Sequence, residues 1–184
     1  MFYTGTQGIN PYFLLEKAHV APGMHVADCG CGSNGHIVFP AAEKMNKTGI
    51  VYAVDILRRA LEAVGRQAKL YNIESVHTVW SNLEQLGGTR IPEKTLDRAF
   101  IINTLFQAKD QLAFLLEVKR LLKDKARLLV VDWSGSGYSF GRKPESCVNF
   151  SFVKNWALQN NFVIQEAFDI DPSYHGVVLY YHAA

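Results

Sequence analysis

The sequence predicts an α/β fold in which helices cover both faces of one open, mostly parallel sheet. Short apolar runs alternate along the chain with amphipathic segments, and this alternation favours parallel strands joined by helices. The run RLLVVDW at residues 127–133 is almost continuously apolar, as is typical of a strand buried on both faces. The last two apolar runs are separated by a turn alone, DPSYHG, so we expect them to pair antiparallel. We therefore predict seven strands, with one reversed strand near an edge.

Each predicted strand is a short apolar run that ends at a turn signal. The first runs into a glycine-rich turn, the second reads GIVYAV and the fourth reads LDRAFIIN. After the third strand, Gly87 and Gly88 interrupt the chain. The predicted strands are residues 24–27, 49–54, 76–80, 96–103, 127–133, 162–170 and 177–182.

Helices are predicted in the intervals between the strands. Residues 57–71 have the clearest pattern, because apolar residues from Leu57 to Ala68 recur at helical spacing. In residues 36–45 a proline, Pro40, is tolerable only near the first turn. The predicted helices are residues 36–45, 57–71, 110–123 and 149–160.

Composition limits the class of protein. The chain has 184 residues, which suits a single domain over residues 1–184 that buries its core without disulfides. With 48% hydrophobic and 20% charged residues, it is not collagen-like, disordered or a disulfide-bonded mini-protein. The net charge of +2 gives no strong basic excess for a nucleic-acid partner, although a local patch leaves RNA open.

Cysteine usage and hydrophobicity indicate the compartment. The three cysteines, Cys29, Cys31 and Cys147, form a poor disulfide framework and favour a reducing environment. The first residues show no charged segment followed by an apolar run of signal-peptide length. No stretch approaches the roughly 20 apolar residues of a membrane span. We expect a cytoplasmic protein without a membrane partner, as a monomer or homodimer.

The segment MHVADCGCGSNG carries the strongest functional signal. Gly30, Gly32 and Gly35 follow a predicted strand and precede a predicted helix, which is the context that a nucleotide-binding glycine motif requires. The turn lies at the carboxyl end of the first strand, where open α/β sheets bind ligands. Asp55 ends the second strand, where its carboxylate can accept hydrogen bonds from ribose hydroxyls. The alternative role for Asp55 is to cap the helix that starts at Leu57.

Asp28 distinguishes between ligands that contain a nucleoside. It lies two positions before Gly30, at the mouth of the predicted cleft. A carboxylate there repels the pyrophosphate of a dinucleotide and attracts a cation. S-adenosyl-L-methionine carries a sulfonium and an amino group and no phosphate, so charge favours it over NAD.

These segments resemble the motifs of class I S-adenosylmethionine-dependent methyltransferases. VADCGCGSNG resembles the first motif and GIVYAVD the second, while VHTVWSNLEQL, TLDRAFIINTLFQ and RLLKDKARLLVVDW fall at the next three. The resemblance covers residues 10–183 and is greatest to small type 11 proteins of ubiquinone/menaquinone biosynthesis or arsenite methylation. It implies a three-layer, doubly wound, Rossmann-like fold with strand order 3-2-1-4-5-7-6 and strand 7 antiparallel.

The resemblance also implies which residues bind S-adenosylmethionine. They lie at the ends of the first four strands: Asp28, Gly30, Cys31, Gly32, Gly35, Asp55, Ile56, Asn82, Leu83 and Asn103. Asp28 and the glycine backbone would face the methionine part, and Asp55 would hold the ribose. Ile56 and Leu83 would pack on the adenine, and Asn103 would border the methyl group.

Several positions depart from the family pattern. Asn82 stands where the family usually has an acidic residue that bonds the adenine amino group, but an amide oxygen can accept the same bond. Cys29 replaces the commoner leucine, and residues 124–126 replace the usual GG turn. The fourth strand is followed by NTLF rather than the proline-containing tetrapeptide of amino-methylating DNA enzymes, which disfavours methylation of adenine or glutamine amides.

Methyl transfer needs alignment more than acid–base groups, and the sequence shows no catalytic triad. The candidate catalytic residues are His175, Asp132 and Asn103, which we expect at the same edge of the sheet. His175 is either a base or a histidine on a surface turn. Asp132 is either a base or a cap for the loop that follows it.

Residues 1–23 form an N-terminal lid or helix segment, in which YTGTQG either covers the cofactor or frays. No metal is expected, because His25, Cys29, Cys31 and His36 lack the spacing of a zinc site. We expect a methyltransferase of EC class 2.1.1 with a small-molecule acceptor. The alternatives are an RNA or protein acceptor, or a non-catalytic NAD-type module.

Overall fold

A computed structural model describes residues 8–134 and 147–183, and these form one sheet in the order β3-β2-β1-β4-β5-β7-β6. The strands are β1 (His25–Cys29), β2 (Ile50–Asp55), β3 (Val76–Trp80), β4 (Leu96–Ile102), β5 (Leu122–Trp133), β6 (Phe162–Asp171) and β7 (Tyr174–Tyr181). Among the first five strands, all neighbouring pairs are parallel, whereas β7 is antiparallel to both of its neighbours, β5 and β6. The predicted fold class and strand order are confirmed.

Helices cover both faces of this sheet. They are α1 (Pro11–Lys17), α2 (Val38–Lys44), α3 (Arg58–Leu70), α4 (Gln111–Leu121) and α5 (Phe150–Gln159), with a 3₁₀ turn at Leu105–Gln107. In β5, Leu128 and Val130 pack into the layer that contains α4 and α5. Leu129 and Val131 pack into the layer that contains α1, α2 and α3. Because both faces are buried, successive residues of β5 must be apolar, which explains the continuous run in the sequence.

The β6–β7 hairpin is tighter than predicted. Asp171 Oδ1 accepts hydrogen bonds from the backbone N–H groups of Ser173 (2.7 Å) and Tyr174 (3.0 Å). This side-chain turn reverses the chain at once, so β7 begins at Tyr174. The prediction that Tyr174 and His175 lie in a loop is therefore wrong, since both belong to a strand.

The boundary between α4 and β5 also differs from the prediction. The helix was predicted to end at Lys123, but it ends at Leu121 and β5 follows immediately. Leu122 pairs with Leu96 at the start of β4, and Lys123 Nζ lies 2.9 Å from both carboxylate oxygens of Asp97. These contacts with a distant strand place Lys123 in β5, which the local sequence pattern does not indicate.

The N-terminal helix packs on the sheet. Asn10 caps α1 by accepting the N–H of Tyr12 (3.0 Å), and Leu14 and Leu15 are fully buried in the core. Residues 3–7 of the predicted lid lie outside the described residues. Within the described ranges, no helix is both long enough and apolar enough to cross a membrane.

Candidate active site

A cavity of about 510 Å³ opens at the carboxyl ends of β1, β2, β3 and β4. Its volume lies within the range of roughly 300–1,000 Å³ that is usual for small-molecule sites. Its lining includes every residue in the predicted cofactor-binding set except Gly35, together with residues that follow β4. The strand ends thus bring these separate segments together.

The glycine turn shapes one wall of the cavity. Gly30, Gly32 and Gly35 all have positive φ angles, of 90°, 61° and 56°, which favour glycine. A Cβ at Gly30 would overlap the side chain of Thr104, so that position is closed by the protein itself. A Cβ at Gly32 would meet no atom of the described residues within 4 Å beyond its chain neighbours, which leaves this stretch of backbone open toward a ligand.

Asp55 joins the glycine turn to the start of α3. Its Oδ2 accepts the N–H of Gly32 (2.9 Å), and its Oδ1 accepts the N–H of Leu57 (2.8 Å), the residue before the helix. A carboxylate can accept about four hydrogen bonds, so two positions remain on a side chain that also lines the cavity. The capping role and the ribose role considered for Asp55 are therefore compatible.

Asp28 lines the cavity from within β1, which ends at Cys29, two residues later than predicted. Its side chain is 3% exposed. Burial, followed by repulsion from Asp55, raises the pKa of Asp28 to about 7 against the opposing effect of a hydrogen bond from the backbone of Ile37. A buried carboxylate with this pKa gains most from a cationic ligand, because the cation stabilises its charged form.

The far end of the cavity is formed where β2 and β3 end. Ile56 is 52% exposed and lines the cavity with Leu83 and Asn82. Trp80 Nε1 donates to the carbonyl of Ile56 (2.8 Å) and fixes this end of β2 against β3. Asn82 Oδ1 accepts the backbone N–H of Glu84 (3.0 Å), so its amide has a defined orientation.

The segment after β4 supplies lining residues that sequence reasoning missed. Asn103 lines the cavity in a left-handed conformation (φ 54°), and its carbonyl accepts a hydrogen bond from Gln107 Nε2 (2.9 Å). Thr104, Gln107 and His36 also line the cavity and were not predicted. Thr104 and Gln107 had a usable signal, because they follow a strand that ends at the same sheet edge.

Asp132 and His175 are not among the cavity-lining residues. Asp132 is fully buried and accepts the backbone N–H groups of Trp133 (2.9 Å) and Phe106 (3.3 Å). Burial raises the pKa of Asp132 to about 7 against those hydrogen bonds. Its carboxylate therefore supports the 3₁₀ turn, which lies between Thr104 and Ala108 in the cavity wall.

His175 is directly opposite Asp132 in the pairing of β5 with β7. Its Nδ1 lies 2.6 Å from Asp169 Oδ1, and its ring meets Phe150 edge-on at 4.6 Å between centroids. Its Nε2 is buried and has no hydrogen-bond partner among the described residues. Asp169 fixes the orientation of the ring, which was not predicted.

A second buried carboxylate supports the loop between β3 and β4. Glu117 of α4 accepts the N–H groups of Gly87 (2.7 Å) and Thr89 (2.9 Å) and pairs with Arg120 at 2.8 and 2.9 Å. These partners lower the pKa of Glu117 to about 2 although burial raises it. The loop that contains Asn82 is thereby tied to α4.

The described residues contain no group of three or more His, Cys, Asp or Glu side chains placed to hold a metal ion. Cys29 lies inside β1 and is fully buried, whereas Cys31 lies on the glycine turn beside the cavity. The two thiols therefore belong to different parts of the fold.

An open α/β sheet of this strand order, with a glycine turn after β1 and an acidic residue at the end of β2, is typical of class I methyltransferases. The chain belongs to the methyltransferase domain family, which it matches over residues 21–167. No curated protein matches it. The resemblance found from the sequence motifs is confirmed.

Solved structures share this fold. An S-adenosylmethionine-dependent methyltransferase from Aquifex aeolicus is 21% identical with a TM-score of 0.83, covering 97% of this chain and 93% of that one. A putative type 11 methyltransferase from Sulfolobus solfataricus is 24% identical with a TM-score of 0.71, covering 94% and 92%. Geranyl diphosphate C-methyltransferase from Streptomyces coelicolor, solved with S-adenosyl-L-homocysteine, is 14% identical with a TM-score of 0.76, covering 94% and 75%.

Proposed function

We propose that this chain transfers a methyl group from S-adenosylmethionine to a small-molecule acceptor and acts as one domain over residues 1–184. The observation that carries the proposal is the arrangement of two buried carboxylates in one cavity. Asp28 offers a negative charge without a Lys or Arg beside it among the described residues that line the cavity, and Asp55 offers two uncommitted acceptor positions. A cationic nucleoside without phosphate matches both.

From the end of β1 to the end of β3, the cavity residues match successive parts of S-adenosylmethionine. Asp28 binds the ammonium group, the open backbone at Gly32 admits the amino-acid part and Asp55 binds the ribose hydroxyls. Ile56 and Leu83 give apolar contact to the base. When bound, the cofactor supplies an activated methyl group, so the protein needs to align the acceptor and exclude water.

The residues on the acceptor side have different proposed roles. Asn103 borders the reacting groups, because it lines the cavity at the end of β4. Asp132 acts as a positioning residue through the 3₁₀ turn, since its oxygens are engaged by backbone N–H groups. His175, oriented by Asp169, is the candidate base for acceptors that must lose a proton.

A small-molecule acceptor is favoured over RNA or protein by the near-neutral charge balance of 19 basic and 17 acidic residues. An NAD-type module is disfavoured by the buried Asp28 in the cavity and by membership of the methyltransferase family. The free thiols of Cys29, Cys31 and Cys147 support a cytoplasmic location. A monomer or homodimer remains the proposed assembly.

The test is methyl transfer from S-adenosylmethionine labelled on the methyl group. Three acceptor pools are offered separately: a small-molecule extract, total RNA and denatured protein. We expect label in the small-molecule pool, and we expect Asp55→Ala to abolish it. Label confined to RNA or protein would overturn the acceptor class, and no transfer to any pool would count against the enzyme itself.

A further inference from the structure

At the nucleobase end of the cavity, the side-chain amide of Asn82 can both donate and accept hydrogen bonds. The ends of β2 and β3 adjoin, since Asp55 pairs with Trp80, and Ile56, Asn82 and Leu83 follow them. Two apolar side chains and one amide at this end suit a flat heteroaromatic ring with a polar rim. This reading rests on the proposed function, which places the ribose at Asp55.

Asn82 is held in place by its own loop. Its Oδ1 accepts the N–H of Glu84 at 3.0 Å, which closes a side-chain turn. The Nδ2 group has no hydrogen-bond partner among the described residues. The amide is half-buried, lines the cavity and so offers two N–H donors as well as a remaining acceptor position.

Ser81 and Glu84, the polar neighbours of Asn82, carry no N–H donor on their side chains. Ser81 Oγ bonds to Thr89 Oγ1 at 2.8 Å in a buried pair. Glu84 Oε2 accepts the N–H of Asp110 at 2.8 Å. Asn82 is therefore the residue of this segment whose side chain can donate N–H groups to the rim of the base.

We propose that Asn82 makes the base site accept a 6-oxopurine as well as a 6-aminopurine. Adenine presents an amino donor at C6 and an acceptor at N1, whereas hypoxanthine presents an oxo acceptor at C6 and a donor at N1. An amide has a partner for either rim, but a carboxylate can only accept hydrogen bonds and would repel the oxo group. Asn82 is thus a specificity-determining residue.

Acceptance of a 6-oxopurine also affects product inhibition. Hydrolytic deamination of the demethylated product, S-adenosylhomocysteine, consumes water, releases ammonia and gives its 6-oxopurine analogue, S-inosylhomocysteine. For this chain, the deaminated product remains an inhibitor.

The experiment compares calorimetric Kd values for S-adenosylhomocysteine and S-inosylhomocysteine. Asn82→Asp is the informative variant, because an aspartate oxygen can still accept the N–H of Glu84 and keep the turn. Asn155→Asp makes the same change on an exposed residue of α5 and serves as the control. We expect the two Kd values to lie within about tenfold of each other in the unmodified protein and in the control. In Asn82→Asp we expect the ratio of the inosyl Kd to the adenosyl Kd to rise by at least about tenfold, because the inosyl compound binds more weakly.

Two outcomes overturn the inference and leave the proposed function intact. One is strong binding of the adenosyl compound with rejection of the inosyl compound by more than about a hundredfold in the unmodified protein. The other is a ratio that Asn82→Asp does not change. Failure of both compounds to bind would instead remove the proposed function, and the inference with it.

Discussion

Two pairs of buried carboxylates lie near the same edge of the sheet and have different roles. Asp28 and Asp55 line the cavity, whereas Glu117 and Asp132 lie behind its walls and are fully buried. Glu117 accepts hydrogen bonds from the backbone N–H groups of Gly87 and Thr89 and from the guanidinium of Arg120, so both of its oxygens are engaged by the protein. Asp55 keeps two positions uncommitted.

The difference teaches that burial alone does not indicate a ligand site. Partners lower the pKa of Glu117 to about 2, whereas burial without a cation raises the pKa of Asp28 to about 7. Asp132 also has a pKa of about 7, yet its oxygens face backbone N–H groups. An uncommitted acceptor that faces a cavity is the feature that identifies a binding residue.

The largest effect is expected from Asp55→Ala. Loss of two charge-assisted hydrogen bonds to the ribose, at roughly 1.5–3 kcal/mol each, weakens cofactor binding by about 3–6 kcal/mol. Calorimetric titration with S-adenosylhomocysteine measures this loss, and Asp55→Asn serves as the milder variant. An unchanged affinity in a folded Asp55→Ala protein would show that Asp55 supports the fold, as Glu117 and Asp132 do, and does not bind the ribose.

Glu117→Gln is expected to act on stability. Breaking the pair with Arg120 lowers the free energy of unfolding by about 2–4 kcal/mol, below the roughly 3–5 kcal/mol of a fully buried pair because Arg120 is partly exposed. Glu93→Gln is the matched control, since Glu93 contacts Arg120 at 3.6 Å from an exposed position and should change stability by less than about 1 kcal/mol. Equal losses in denaturant titrations would refute the distinction.

The same pair predicts an acid dependence. Because the folded pKa of Glu117 is depressed to about 2, its contribution is fully present above the unfolded value of about 4.5. That contribution is lost as the pH falls from 4.5 toward 2. The loss should be absent in Glu117→Gln.

Asp132→Ala distinguishes a positioning residue from a base. It leaves the N–H groups of Trp133 and Phe106 without their acceptor, which lowers the free energy of unfolding by about 1–3 kcal/mol. Cofactor affinity is expected to fall less in Asp132→Ala than in Asp55→Ala. A collapse of methyl transfer at unchanged stability would return Asp132 to the catalytic role.

The smallest expected effect is a pH dependence of cofactor binding. A bound ammonium favours ionised Asp28, so affinity rises with pH up to about 7, by at most tenfold per unit. Above roughly pH 8 the α-amino group of the ligand itself loses its proton and affinity falls again. Calorimetry between pH 6 and 9 should show this maximum, and Asp28→Asn should remove the rising limb. A rising limb that persists in that variant would assign it to another group.

The parts of the site that sequence could predict are those set by local motifs. The glycine turn, Asp28 and Asp55 occupy fixed positions relative to β1 and β2, so their presence in one cavity follows from parallel strands ending together. Thr104 and Gln107 belong to a short turn that no periodicity indicates, although their place after β4 offered a signal.

The errors came from contacts between residues distant in sequence. Polar residues continue β5 because Lys123 meets Asp97, and β7 begins early because Asp171 closes a tight turn. The support given by Asp132 depends on backbone groups about 26 residues away in sequence. A residue type alone does not reveal which groups its oxygens will face.

The central claim is that the cavity selects a cationic nucleoside without phosphate. The most direct test titrates the purified chain in parallel with S-adenosylmethionine, S-adenosylhomocysteine and NAD by calorimetry at pH 7.5. We predict micromolar binding of the first two ligands and no binding of NAD. Binding of NAD alone would contradict the account, because the buried charge of Asp28 would then face a pyrophosphate.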